Sequence, residues 1–227
     1  MKIEVINFSK TVGGNKILED VNVCLSSGNV YGIVGKNGSG KTMFLRMIAG
    51  LILPTSGEVK VDGKILGKDI SFPDHLGILL EKPSFLPYST GFENLQMLAK
   101  IRNITSNEQI QTLMDLFDLD WKSRKKFKEY SLGMKQKLGI IQAIMENQEL
   151  IILDEPFNAL DENSVRILRT VLEKLKAEGK LIVMTSHNKE DIHLLCDYTF
   201  NIIDGKVRGV KEKERNSDDK VKNKPNL

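Results

Sequence analysis

The sequence has little of what would tie a chain to a membrane, an oxidising compartment or a nucleic acid. No apolar run approaches the ~18 residues that cross a bilayer, and the N-terminus lacks the succession of regions typical of a signal peptide. The two cysteines, Cys24 and Cys196, are far apart, which excludes a disulfide framework and gives no zinc motif. A net charge of +3 does not predict nucleic-acid binding. We therefore expect a chain of the reducing cytosol that reaches any membrane through a partner, with no nucleic acid.

What is present is the composition of a globular domain. The chain has 227 residues, 41% of them hydrophobic and 28% charged, which is enough for one large core. Patterns of apolar and turn residues predict three strands in residues 1–34, strands in 57–80, helices without strands in 92–146, and then a strand at 150–153, a helix at 161–177, a strand at 181–184 and a hairpin at 198–210. The class is α/β, with an inserted helical region.

The last residues differ in composition from the rest. Residues 211–227 hold six basic and four acidic side chains, a proline and almost nothing apolar. Such a segment cannot bury enough surface to fold by itself. We expect a structured domain over residues 1–210 and a disordered charged tail over 211–227.

A glycine-rich loop carries the first chemical signal. Residues 35–42 read GKNGSGKT and match GxxxxGK[ST], between a predicted strand ending at Val34 and a predicted helix from Met43 to Leu51. In this motif backbone N–H groups and the helix N-terminus surround phosphates, the lysine reaches the β and γ phosphates, and the Ser/Thr hydroxyl binds Mg²⁺. The predicted nucleotide-binding residues are Gly35, Lys36, Asn37, Gly38, Ser39, Gly40, Lys41 and Thr42, with Thr42 also a metal ligand.

Two acids end the strand at 150–153, at the edge where an α/β sheet binds ligands. Taken alone, Asp154 and Glu155 are also explained as surface residues after a strand. Beside a phosphate-binding loop they form a phosphoryl-transfer pair: Asp154 belongs to the Mg²⁺ shell, and Glu155 orients or deprotonates the attacking water.

Three further motifs, in this order, give a family resemblance. Residues 130–134 read YSLGM before an amphipathic helix, 158–161 read NALD, and 185–187 read TSH after a strand. They resemble the signature motif, the D-loop and the switch histidine of ATP-binding-cassette (ABC) ATPases, and the resemblance spans residues 1–210. It implies a P-loop NTPase core, an N-terminal antiparallel β subdomain, and a helical subdomain inserted at about 88–146.

The resemblance also implies how the chain works. Two such domains face each other head to tail, and ATP with Mg²⁺ lies between the P-loop of one and the Ser131 helix of the other. It assigns Ser131, Gly133 and Asp161 to the nucleotide and His187 to catalysis beside Glu155. Without the other motifs, Ser131 is explained as an ordinary helix N-cap and His187 as a packed side chain. The implied partners are a second ABC ATPase domain and integral membrane permease subunits, with the chain cytoplasmic and peripheral at the inner face of the membrane.

The sequence departs from the family pattern at a few positions. Leu132 and Met134 replace a glycine and a glutamine of the signature, and Val12 stands where an aromatic residue would stack on adenine. Glu81 takes the place of the Q-loop glutamine, and its carboxylate remains a possible Mg²⁺ ligand. The Glu81 substitution, the changed signature and the short single domain resemble ATPase subunits of peptide-antibiotic or lantibiotic exporters.

Two other functions stay open at this stage. One is a soluble ABC ATPase that is not coupled to transport. The other is a nucleotide-binding module with weak turnover, in which Val12, Glu81 and Leu132 have reduced catalysis. The loop that contains Pro83 and Pro87 is explained equally well as a docking surface for a membrane partner and as an ordinary surface loop.

Overall fold

A computed structural model describes residues 1–213. The strands are β1 Lys2–Val12, β2 Asn15–Ser26, β3 Val30–Val34, β4 Ser56–Val61, β5 Lys64–Ile65, β6 Leu76–Leu79, β7 Leu150–Leu153, β8 Leu181–Thr185, β9 Tyr198–Ile203 and β10 Lys206–Glu212. The helices are α1 Lys41–Ile48, α2 Gly91–Arg102, α3 Asn107–Leu116, α4 Leu132–Ile144, α5 Glu162–Ala177 and α6 Lys189–Leu195.

The first sheet is antiparallel, with strand order β2-β1-β4-β5. Its long hairpin turns at Gly13 and Gly14, both with positive φ, which a glycine adopts without steric cost. This confirms the antiparallel β subdomain expected near the N-terminus.

The second sheet, ordered β10-β9-β3-β8-β7-β6, is parallel except for the β9–β10 hairpin. Successive side chains of a strand point to opposite sides. Every residue of β7 and β8 is buried, so these central strands are covered on both faces. Leu150 and Ile152 join the core shared with the first sheet and α1, whereas Ile151 and Leu153 join the core under α4 and α5. The sheet therefore separates two cores, and the carboxyl ends of β3, β7 and β8 open at one edge.

Helices α2 and α3 lie between β6 and β7, within the range predicted for the helical insertion. Each begins with a capping box: Thr90 with Glu93 for α2, and Ser106 with Gln109 for α3. Helix α4 follows them and packs directly on β6 and β7. The insertion is thus joined to the parallel sheet through α4.

The structure differs from the sequence prediction in three places. Helix α1 begins at Lys41, two residues before the predicted start, because the phosphate-binding loop runs straight into it, and it ends at Ile48, three residues before the predicted end. Helix α6 was not predicted, since seven residues are too few to show a helical period. Lys211 and Glu212, assigned to the disordered tail, continue β10 and pair with β9. The rest of that prediction, from residue 214 onward, lies outside the described residues.

Candidate nucleotide site

The phosphate-binding loop occupies residues 35–40, between the end of β3 and the start of α1. Two of its glycines are required by close packing. A Cβ at Gly35 would collide with the Ile202 carbonyl oxygen, and Gly40 has φ 108° with the Ile17 carbonyl 3.1 Å from where a Cβ would stand. The loop is therefore pressed against both sheets, and its shape is fixed by the fold.

The lysine of this loop folds back over it. Lys41 is nearly buried and its Nζ donates to the carbonyl oxygens of Gly35, at 2.9 Å, and Lys36, at 3.1 Å. The hydroxyl of Ser39 is buried and has no hydrogen-bond partner among residues 1–213. A buried polar atom without a partner is costly, so a water or a ligand atom that reached this hydroxyl would stabilise the loop.

Asp154 connects the loop to the parallel sheet. Its Oδ2 accepts the Thr42 hydroxyl at 2.8 Å, and its Oδ1 accepts the Thr185 hydroxyl at 2.6 Å. Asp154 stands just after β7, Thr185 ends β8 and Thr42 lies in α1, so three elements supply one cluster of oxygen atoms. Thr185, which is fully buried, was not predicted as a partner of Asp154.

Glu155 stands on a strained turn beside this cluster. It has φ 49°, rare for a residue with a side chain, and its N–H donates to the Thr185 hydroxyl at 2.8 Å. Its Oε2 accepts the backbone N–H of His187 at 3.1 Å. The His187 Nε2 lies 3.2 Å from Oε1, although the pair lacks the alignment of a hydrogen bond.

The environment of Glu155 favours its protonated form. Burial raises the pKa of the Glu155 carboxyl above its ordinary value, and the neighbouring charge of Asp154 acts in the same direction. The His187 N–H and the Lys41 charge oppose this shift without cancelling it. A carboxyl with a raised pKa is suited to accept a proton.

Two cavities meet at the acid pair. One, of about 410 Å³, is lined by loop residues together with Thr42, Asp154, Glu155 and His187. The other, of about 250 Å³, has Asp154 and Glu155 on one side and Glu81, Leu132 and Asn158 among its remaining residues. We call the loop 35–42 with Asp154, Glu155, Thr185 and His187 the P-loop edge.

Glu81, predicted as a metal ligand, is turned toward α1. Its Oε1 accepts from Arg46 at 2.5 Å, and its side chain is 60% exposed. It nevertheless lines the same cavity as Asp154 and Glu155. Its role as a Mg²⁺ ligand stays a prediction, and Arg46 is a partner that the sequence did not indicate.

The signature residues lie apart from the loop. Ser131 is exposed and caps α4 by accepting the Met134 N–H at 3.2 Å, and neither Ser131 nor Gly133 lines the loop cavity. A Cβ at Gly133 would stand 2.7 Å from the Ala159 carbonyl, which explains the glycine by packing within the chain. We call Ser131–Gly133 with Asn158–Asp161 the signature face.

Asp161 has partners of its own on the signature face. It caps α5 by accepting the Ser164 N–H at 2.9 Å and pairs with Lys137 of α4 at 3.1 Å. The Ser164 N–H, with Lys137 adding, holds the pKa of the Asp161 carboxyl well below its usual range. In this chain Asp161 therefore stabilises a helix start, and its contact with nucleotide stays a prediction.

Val12, aligned with the base-stacking position, is half exposed where β1 meets its hairpin turn. The side chain of the β subdomain that lines the loop cavity is Ile17. Phe8, an aromatic residue close to Val12, is fully buried in the core and is not available to a base.

Of residues 1–213, no helix is long and apolar enough to cross a membrane.

Comparison with known proteins agrees with this geometry. Residues 18–158 match the ABC transporter family. The chain is 41% identical over 205 residues to the uncharacterized ABC transporter ATP-binding protein YybJ of Bacillus subtilis (strain 168), covering 90% of this chain and 94% of YybJ. A solved structure of an ATP binding subunit of an ABC transporter superposes with a TM-score of 0.85 at 26% identity, covering 93% of this chain and 90% of that one.

Two relatives bear on the finer resemblance. The bacitracin transport ATP-binding protein BcrA of Enterococcus faecalis is 39% identical over 86% of this chain, which spans 64% of BcrA. The lantibiotic transport ATP-binding protein SrtF of Streptococcus pyogenes is 31% identical over 93% of this chain and 90% of its own length. The predicted resemblance to peptide-antibiotic and lantibiotic transport ATPases is confirmed, and so is the P-loop NTPase fold. The chain belongs to the ABC transporter family, as one of its ATP-binding, ATP-hydrolysing subunits.

Proposed function

We propose that this chain hydrolyses ATP at the P-loop edge as one half of a dimer, and that it thereby drives a separately encoded membrane permease. The observation that carries the proposal is the hydrogen-bond chain Thr42–Asp154–Thr185 directly beside Glu155. It joins the phosphate-binding loop to the residue that we assign to water activation.

The oxygen atoms of this chain are suited to a magnesium ion. Thr42 offers a hydroxyl and Asp154 a carboxylate 2.8 Å apart, and Mg²⁺ is bound in such sites by one or two protein oxygens together with phosphates. When bound, Mg²⁺ neutralises charge on the β and γ phosphates. Thr185 holds Asp154 in place, and Glu81 is a further candidate ligand once Arg46 releases it.

Glu155 is the proposed base. Its Oε1 has no hydrogen-bond partner among residues 1–213, so it is free to accept the proton of an attacking water. Its Oε2 is held by the His187 backbone N–H, which fixes the orientation of the carboxylate. The imidazole of His187, at 3.2 Å from Oε1, lies on the same side as the loop cavity and orients the water and the γ phosphate.

The second half of the site comes from another copy of this chain or a close paralogue. Ser131 and the first N–H groups of α4 are exposed and suited to bind a phosphate, yet they lie outside the chain's own loop cavity. A head-to-tail dimer brings them to the partner's P-loop. Closure of this dimer on ATP, and its opening after hydrolysis, is the motion that the permease uses.

A groove beside the helical insertion is the proposed docking site for the permease. It has a volume of about 680 Å³, and most of its residues are apolar: Leu51, Ile78, Leu79, Leu80, Pro83, Phe85, Leu86, Met97 and Leu98. The loop after β6 contributes Phe85, which packs on Phe127 with ring centroids 5.1 Å apart and shapes the groove. Tyr88 of the same loop is exposed. Through this contact the chain is held at the inner face of the cell membrane, in the cytoplasm.

The proposed cargo is a peptide antibiotic, by relation to the bacitracin and lantibiotic transport proteins. Cells that express the chain with its permease should tolerate more of such a peptide than cells with an inactive variant. A soluble ATPase uncoupled from transport would give no such protection and would not co-purify with a membrane protein.

The direct test is Glu155→Gln, which keeps the shape of the side chain and removes the base. We expect steady-state phosphate release to fall by ~10²-fold or more, while ATP binding stays intact and an ATP-bound dimer accumulates. Phosphate release at the parent rate would show that another group activates the water. Very slow release by the parent chain itself would favour the nucleotide-binding module with weak turnover.

A further inference from the structure

Gln136 is a buried residue of α4 that faces the turn after β7. Its Nε2 donates to the carbonyl oxygens of Glu155, at 3.1 Å, and Pro156, at 3.2 Å. Both partners are acceptors only, so the amide nitrogen and not the amide oxygen must point at the turn. Gln136 is 6% exposed and borders the cavity of about 250 Å³ that Asp154 and Glu155 also line.

This turn needs outside support. Glu155 has φ 49° without being a glycine, and the following Pro156 further restricts its backbone. Such a conformation persists only where the surroundings fix it. The N–H of Glu155 is held by the Thr185 hydroxyl at 2.8 Å, and its carbonyl also accepts the Asn158 N–H at 3.2 Å.

We propose that Gln136 is a positioning residue for ATP hydrolysis. Its carboxamide and the Thr185 hydroxyl hold the two peptide groups that flank Glu155, so the carboxylate is delivered to one place beside Asp154. Gln136 acts through Glu155 and makes no contact with the nucleotide in this mechanism. The inference rests on the role proposed above for Glu155.

The test compares two substitutions of Gln136 with a matched control elsewhere. Gln136→Leu removes the amide, and Gln136→Glu keeps the size but presents oxygen to two carbonyls. Gln148 is also buried, with its Oε1 accepting the Glu146 N–H at 3.1 Å, and it precedes the opposite end of β7. Gln148→Leu therefore removes a buried amide far from the turn.

We expect kcat for ATP to fall about tenfold or more in both Gln136 variants, because small misplacements of a catalytic group have effects of this size. KM should stay within about twofold of the parent, since the loop that binds the phosphates is unchanged. Gln148→Leu should keep the parent kcat. A parent kcat in Gln136→Glu, or a raised KM with kcat unchanged, would overturn the proposal even if Gln136→Leu failed to fold.

A double substitution separates positioning from a general loss of structure. In the Glu155→Gln background, Gln136→Leu should cause little further loss of single-turnover rate, because the group it positions is already absent. An additional loss as large as in the parent would overturn the proposal. If Glu155→Gln alone hydrolysed ATP at the parent rate, the role of Glu155 itself would fail, and Gln136 would have nothing to position.

Discussion

The P-loop edge and the signature face differ in how much of a site one chain builds. At the P-loop edge, Thr42, Asp154, Thr185 and Glu155 are joined by hydrogen bonds of 2.6–2.8 Å. Within residues 1–213, the Ser39 hydroxyl and the Glu155 Oε1 are buried without a hydrogen-bond partner. At the signature face, the bonds of Ser131 run back into its own helix, and its exposed side faces solvent.

The two regions differ in what each would need in order to bind nucleotide. At the P-loop edge one chain alone brings Thr42, Asp154 and Glu155 to the same cavity, which is the mark of a preformed site. The signature face leaves Ser131 and the first N–H groups of α4 exposed outside the loop cavity, so the proposed function requires a second body there.

Loss of either region should abolish activity, and the two losses should compensate in a mixture. Lys41→Ala and Ser131→Ala should each lower ATP turnover ~10²-fold or more as pure variants, since each removes a phosphate donor. A one-to-one mixture should recover up to about a quarter of the parent rate, because half of the dimers are mixed and each has one intact composite site.

The control for this experiment is the same titration of each variant with itself. Absence of rescue in the mixture, under conditions where the chains exchange, would show either that the dimer is not head to tail or that both sites must act together. Rescue would place the signature face of one chain at the P-loop edge of the other.

The protonation state of Glu155 should affect the activity and the stability of the chain in opposite directions. Its raised pKa means that the folded chain binds the proton more tightly than the unfolded chain, so this group favours folding at low pH and opposes it once ionised. Glu155→Gln should therefore unfold at a higher temperature than the parent at pH 8, and the difference should shrink as pH falls through the raised pKa.

The rate of ATP hydrolysis should depend on pH in the opposite direction to the stability of the parent. Ionisation of Glu155 opposes folding, whereas the proposed base works only when it is ionised. The parent kcat/KM, which reports the free enzyme, should fall on acidification at a higher pH than an ordinary carboxylate would give, and the residual kcat/KM of Glu155→Gln should not show this fall. Thermal unfolding and phosphate release over the same pH series measure both. A variant less stable than the parent at pH 8 would contradict the raised pKa.

The two regions also differ in what could be predicted from the sequence. The phosphate-binding loop is contiguous and its shape depends on local glycines, so the motif located it within its strand and helix. Asp154 and Glu155 were found for the same reason, as the end of a short apolar run. The two cores follow from the alternation of residues in β7 and β8.

The sequence did not indicate the residues that hold the site residues in place. Thr185, Gln136 and Arg46 contact their partners across 30, 19 and 35 positions respectively. Their residue types are common on surfaces and in helices. The packing of α4 and β8 against the acid turn gives Gln136 and Thr185 a role, and the approach of α1 to Glu81 gives one to Arg46. The ion pair between Lys137 and Asp161 belongs to the same class of contact.

A smaller effect tests whether Ser131 is more than a helix cap. Ser131 caps α4 and Ser106 caps α3, each by accepting a backbone N–H three residues later, at 3.2 and 3.3 Å. Ser131→Ala and Ser106→Ala should each cost about 1 kcal/mol of stability, which lowers Tm by roughly 2–4 °C in a chain of this size. Only Ser131→Ala should also lose ATP turnover. Equal turnover in the two variants would leave Ser131 an ordinary cap.

The smallest expected effect concerns the base of the nucleotide. An aromatic residue stacked on a base contributes ~1–3 kcal/mol, or roughly 5- to 150-fold in affinity, and Val12 has no aromatic face to offer. The described residues place Phe8 in the core, so it does not substitute. The phosphates should therefore dominate binding, and we expect GTP to bind and be hydrolysed within about tenfold of ATP.

Introducing the missing ring should tighten the binding of ATP. Val12→Tyr should tighten ATP binding several-fold, measured by competition with a fluorescent nucleotide, because the half-exposed side chain has room for an aromatic ring. Val210→Tyr, on an exposed position of β10, controls for the addition of a surface tyrosine and should leave ATP affinity unchanged. A parent chain that strongly prefers ATP, with the preference unaltered in Val12→Tyr, would place base recognition on another side chain. Ile17, which lines the loop cavity, would then be the first residue to substitute.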